Sequence, residues 1–150
     1  MEKHFTATAY IIKEGKVLLL EHKKPTKWLP PGGHVEKNET PHEAALREVL
    51  EETGLVVEII EQENIKVDFA NATSVPRPYL CLLENIPSHK DTPAHQHIDF
   101  IYLAKPLQGD LLKDSSLRWF TLEEVEALTS EVEIFEETKQ TIQHLLRREV

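Results

Sequence analysis

Gly33-His34-Val35-Glu36-Lys37-Asn38-Glu39-Thr40-Pro41-His42-Glu43-Ala44-Ala45-Leu46-Arg47-Glu48-Val49-Leu50-Glu51-Glu52-Thr53-Gly54-Leu55 is the stretch on which the fold turns. Its helix carries its own punctuation. Thr40 is a candidate N-cap, Pro41 fills the first helical position, where a missing N–H costs nothing, and Glu43 completes a Thr-x-x-Glu capping box. Gly54 stands where a left-handed residue ends a helix. These signals predict a helix over 41–53. At about 100° per residue, Glu52 falls about 40° to one side of Glu48 and Glu51 about 60° to the other, so three carboxylates share a face. Leu46, Val49, Leu50 and Thr53 point away from it, as an apolar side expected to dock on a sheet. Ala44 and Ala45, one turn earlier on the acidic side, are expected to leave room beside the acids.

Three acids within one turn repel one another by a few tenths of a kcal/mol per pair. Arg47 is the one basic residue near enough to offset this locally. A divalent cation removes the penalty, and clustered hard oxygen ligands suit Mg²⁺, with Mn²⁺ as a substitute. Just upstream, Lys27-Trp28-Leu29-Pro30-Pro31-Gly32-Gly33 is expected to be irregular. Its prolines fix φ and remove donors, while its glycines permit conformations closed to other residues. Such a loop can bring backbone carbonyls and amides to the same ion.

Further out, residues 4–13 and 16–22 are β-rich runs around Glu14-Gly15, a hairpin signal. Runs 55–60, 65–69, 79–83 and 98–103 read as strands, and 71–78 and 87–96 as loops. Thr121-Leu122-Glu123-Glu124 opens a short helix. Val132, Phe135, Thr138, Ile142, Leu145 and Leu146 space an amphipathic helix after it. Strands interleaved with two or three helices imply a mixed α/β sandwich.

The composition agrees with one folded domain: 150 residues, 40% hydrophobic and 29% charged. Against 26 Asp and Glu stand 17 Lys and Arg, and the resulting −9 argues against a general nucleic-acid binder. Residues 36–63 hold nine Glu against Lys37 and Arg47, and residues 123–137 hold seven Glu with no basic residue. The first block contains the ordered acid face, whereas the second reads as a solvated surface. Cys81, the single cysteine, lies in an apolar run and reads as a small buried residue, which excludes a disulfide framework. No apolar run is long enough to span a membrane, and Met1-Glu2-Lys3-His4 lacks the core of a signal peptide. A cytoplasmic protein is expected.

Gly33-x5-Glu39-x7-Arg47-Glu48-Val49-x-Glu51-Glu52-x-Gly54-Leu55 resembles a complete Nudix box, with both aliphatic positions filled. Arg118-Trp119-Phe120-Thr121 followed by Glu123-Glu124 resembles that family's usual tail. The resemblance implies a single Nudix hydrolase domain over 1–150, built as an α/β/α sandwich around a mixed sheet. It implies hydrolysis of a nucleoside diphosphate linked to another moiety. Glu48, Glu51 and Glu52 would hold the metal with the backbone carbonyl of Gly32, and Arg47 would orient the glutamates. Glu39 would brace the loop–helix geometry, with Gly33 and Gly54 supporting it. The general base is Glu48 as first choice and Asp114 as second. A catalytically silent nucleotide-binding module and a diphosphate isomerase of the same fold are the rival readings; the latter lacks an evident Cys/Glu pair. A homodimer fits the resemblance, with strands of the N-terminal hairpin as an interface.

Candidate substrate contacts are scattered. His95, His97 and Asp99 alternate at strand spacing, which suits a polar pocket wall or, less well, a zinc site needing a fourth group. Arg77, between Pro76 and Pro78, can reach a phosphate. Phe5, Phe69, Tyr79 and Tyr102 read first as core and second as platforms for a base, while Trp28 and Trp119 read as packing anchors.

Overall fold

The computed structural model describes residues 1–23, 26–113 and 116–147. Two long strands organise it. β1 (Lys3–Lys13) and β9 (His95–Gln108) run parallel side by side, with His4 opposite His97, Thr6 opposite Asp99 and Ile11 opposite Ala104. β2 (Lys16–Lys23) folds back on β1 through Glu14 and Gly15, both at positive φ, the turn whose twist suits a two-residue hairpin. β3 (Thr26–Leu29) and β10 (Leu117–Phe120) flank β2, and β4 (Gly32–His34) pairs with the start of β1. On the far side, β8 (Leu80–Ile86) pairs with the first half of β9 and β5 (Val56–Ile59) with its second half. β6 (Asp68–Phe69) and β7 (Ala72–Thr73) form a small separate hairpin.

Helices cover both faces, so the α/β/α sandwich is present. α1 (Pro41–Thr53) lies over Ala7, Ala9 and Ile11, whose alternation along β1 puts small and branched apolar groups on one side. α2 (Leu122–Glu126) and α3 (Glu136–Arg147) cover the other side, where Tyr10, Ile12 and Ile101 meet Val125, Ile142 and Leu145. Tyr10 is fully buried there, its hydroxyl hydrogen-bonded to Thr138 and Thr141. Among the described residues no helix is long and apolar enough to cross a membrane.

Several local expectations change. The segment 27–33 is not irregular throughout: β3 and β4 occupy most of it, and only Pro30-Pro31 breaks the pattern. Neighbouring strands supply hydrogen-bond partners that composition does not reveal. The 65–69 run is a strand only at its last two residues, and part of 71–78 is the returning strand β7. β9 starts at His95, inside the expected loop, because β1 and β8 both offer it a ladder. The segment 117–120 is a strand held by β2. Val132 precedes α3 and is exposed.

Cys81 is exposed rather than buried. β8 is an outer strand, and α1 leaves its Cys81/Leu83 side open. Phe5 is exposed on that same side and Phe69 at the small hairpin, so neither is core, whereas Tyr102 is. Trp28 and Trp119 pack as anchors, Trp28 edge-on to Phe120 at 4.9 Å between ring centroids.

Candidate active site

α1 is punctuated as expected. Thr40 accepts from the Glu43 amide, the Glu43 side chain answers to the Thr40 amide, and Gly54 closes the helix at φ 81°. Its orientation is not as expected. The buried residues are Ala44, Ala45, Val49 and Thr53, while Leu50 is 52% exposed. The small alanines, which let the helix approach the sheet closely, set the docking face. That rotation carries Glu48 and Glu52 to the margin of the buried face instead of opposite it, and leaves Glu51 outermost.

β4 receives them. The Ala9 amide donates to Pro31 O and the Val35 amide to Phe5 O, each at 3.0 Å. Antiparallel ladders alternate, so Gly32 and His34 turn their own N–H and C=O groups away from β1, off the strand's free edge toward α1. Two contacts agree with that direction: the Gly32 amide donates to Glu52 Oε1 at 2.9 Å, and Arg47 donates to His34 O at 3.1 Å. At Gly33 there is no room for a side chain, since a Cβ would sit 2.5 Å from Glu48 Oε1.

Arg47 ties the arrangement together. It grips Glu39 through both oxygens, Nε to Oε2 at 2.6 Å and Nη2 to Oε1 at 3.0 Å. Nη1 donates to Glu48 Oε1 at 2.9 Å and Glu51 Oε2 at 3.4 Å. The guanidinium holds the Glu39 carboxyl below its ordinary range, and these acids raise the arginine further. A lysine cannot make the forked grip and reach Glu48 at once. Arg47→Lys is therefore expected to lower hydrolytic kcat/KM by roughly tenfold, the lower end for residues that orient ligands. Steady-state kinetics at saturating Mg²⁺ check it.

The donor set fits a hard dication. Glu48, Glu51 and Glu52 bring carboxylate oxygens, and the strand edge turns the Gly32 carbonyl to the same side. Burial, with the Glu48 and Glu51 charges, pushes the Glu52 carboxyl up to about 7 against the opposing help of the Gly32 amide. A bound cation reverses that penalty.

His95, His97 and Asp99 fall on the opposite sheet face. Asp99 is buried, and Thr6 and Thr8 donate to it at 2.9–3.0 Å. Glu84, which no sequence signal singled out, hydrogen-bonds to Asp99. Burial and the Asp99 charge push Glu84 up to about 8, and burial also raises Asp99 against the hydrogen bonds it accepts from Thr8 and Thr6. A cavity of about 690 Å³ lies beyond, lined among others by Arg77, Tyr79, Leu82, Gln140, Thr141 and His144. Arg77 and Tyr79 are thus brought together, while Asp114 lies outside the described residues. Leu82 lies opposite Asp99, the Thr8 hydroxyl donates to Asp99, and Thr8 lies opposite Gly32, a path from the cavity to the glycine edge. His95 and His97 join His4 and His34, which are remote in sequence and carried no local motif to announce them.

A glycine strand edge facing a glutamate helix, at the margin of an α/β/α sandwich, defines a domain that gathers carboxylates around one point beside a cleft. The chain belongs to the NUDIX domain family, whose sequence model matches residues 2–145. It is similar to a probable DHNTP pyrophosphohydrolase of Lactococcus lactis, 34% identical over 122 residues covering 81% of this chain and 65% of that protein. The chain thus spans just under two thirds of that relative's length. An oxidized purine nucleoside triphosphate hydrolase of Danio rerio is 32% identical over 121 residues, 75% of this chain and 74% of that one. The crystal structure of a NUDIX-family hydrolase from Clostridium perfringens matches with a TM-score of 0.74 at 28% identity, covering 99% of each chain.

Proposed function

We propose that this chain, as a single domain, hydrolyses the phosphoanhydride bond of a nucleoside diphosphate linked to another moiety, in the presence of Mg²⁺ or Mn²⁺. The observation that carries the reading is the convergence of Glu48, Glu52 and the outward-turned Gly32 backbone at one strand edge. Glu48, Glu51, Glu52 and the Gly32 carbonyl hold the cation in this reading. When bound, Mg²⁺ would offset charge developing on the phosphate oxygens and lower the pKa of a water.

The chain's own groups do the rest. Arg47 and Glu39 hold Glu48 in place, and Glu48 takes the proton of the attacking water. Gly33 allows the strand to lie against that carboxylate. The nucleoside end occupies the cavity with Tyr79 and Arg77, and the phosphates follow the Leu82–Asp99–Thr8–Gly32 path. The names of the two relatives support a small nucleotide-derived anhydride as substrate. A cytoplasmic setting, no nucleic-acid or membrane partner, and a homodimer belong to the same reading. The exposed apolar strip of Phe5 and Leu83, both opposite Ile98, supports the dimer.

Phosphorus NMR of products from a nucleotide panel, with and without Mg²⁺, tests the proposal. Metal-dependent release of monophosphate or pyrophosphate is expected. Binding without turnover, or a rearranged diphosphate ester, would sink it in favour of a silent module or an isomerase.

A further inference from the structure

Four imidazoles meet on the sheet face opposite α1. His4 on β1 lies opposite His97 on β9, His34 comes from β4, and His95 precedes His97 on the same face. Ring centroids stand 5.5 Å apart for His4 and His34, 5.2 Å for His34 and His97, and 4.6 Å for His4 and His95. One ligand nitrogen from each of His4, His34 and His97 lies within 4.8 Å of the other two.

We propose that His4, His34 and His97 form a binding site for one borderline divalent transition-metal ion, such as Zn²⁺ or Co²⁺, separate from the glutamate site. The hydrogen bonds prepare it. His4 Nε2 lies 2.7 Å from Glu2 Oε1, and a carboxylate only accepts, so Nε2 carries the proton and Nδ1 keeps the lone pair. That Nδ1 is buried with no hydrogen-bond partner among the described residues. A buried polar atom without a partner calls for an explanation, and an ion is a partner of the right kind. A carboxylate bonded to the outer nitrogen of a ligating histidine is also a recurrent metal-site arrangement.

The tautomer of His97 follows from a second chain. His95 Nδ1 donates to Pro93 O at 3.0 Å, so its Nε2 accepts from His97 Nε2 at 3.1 Å. His97 is left with its lone pair on Nδ1. Zn–N bonds of about 2.0–2.1 Å put tetrahedral ligand nitrogens roughly 3.4 Å apart. From separations within 4.8 Å, closing the set takes at most about 1.4 Å per pair. Imidazoles select Zn²⁺ or Co²⁺ over Mg²⁺, which prefers oxygen, so the two sites do not compete for one ion.

Co²⁺ titrated into the native protein in saturating Mg²⁺ is expected to bind one equivalent, with visible d–d absorption that Zn²⁺ abolishes. By calorimetry, His4→Gln and His34→Gln should each weaken Zn²⁺ binding at least tenfold, and Glu52→Gln should leave it unchanged. His34 is exposed, so its replacement spares the fold, and circular dichroism verifies both variants. No Co²⁺ uptake by the native protein, unchanged Zn²⁺ affinity in either histidine variant, or lost affinity in Glu52→Gln overturns the proposal.

Discussion

Glu52→Gln is expected to lower Mg²⁺-dependent turnover on the order of 10³-fold while leaving the protein as stable as before, or slightly more so. The size follows from removing one carboxylate from a site that must hold a dication against charged phosphates, an interaction of several kcal/mol. The stability result follows from burial. Glu52 is half-buried beside Glu48 and Glu51, and its carboxyl is pushed up to about 7, so the anion is under strain without a cation. Glutamine keeps an oxygen to accept from the Gly32 amide and discards the charge. Function and stability therefore move in opposite directions, as at many sites that concentrate like charges. Kinetics and thermal melting of the same preparation check both halves. Wild-type turnover in the variant would move the metal site away from this helix.

Gly33→Ala is expected to cost about 10²-fold in kcat/KM with little loss of stability. The added methyl would lie 2.5 Å from Glu48 Oε1 and 2.7 Å from its Cδ, so something must give. What gives is the end of a flexible side chain, which swings aside cheaply. A displacement of about 1 Å is enough for a loss of that size at a reacting centre. Gly32 does not isolate the effect in the same way. A Cβ there meets the backbone Ala7 O of the neighbouring strand at 2.6 Å and Thr8 Oγ1, which donates to Asp99, at 2.8 Å. For Gly33→Ala, a melting temperature near that of the parent with collapsed activity is the expected signature. Intact activity would mean that Glu48 does not need its observed position.

Much of the site was legible because its signals are local. A capping box, an N-terminal proline and a terminal glycine lie within one helix, and the period of 3.6 residues places Glu48, Glu51 and Glu52 together wherever that helix docks. The direction in which it docks was not legible. Leucine is the larger apolar residue, yet Ala44 and Ala45 face the sheet, because close approach to the small residues of β1 outweighs the area Leu50 would bury. The strands around Pro30-Pro31 and at Leu117–Phe120 were missed for a related reason: partners distant in the chain supply their hydrogen bonds.

From the sequence by itself came the capped helix, its three carboxylates beside Arg47, the hairpin at Glu14-Gly15 and the α/β class, because each depends on contacts or periodicities within a few residues. Only the tertiary structure decided that Gly32 turns its backbone toward Glu52, that Glu84 hydrogen-bonds to Asp99, and that Cys81 lies exposed. It also decided that His4, His34 and His97 meet. Those facts depend on strand register and on which face a helix covers, and both are set by the packing of segments dozens of residues apart.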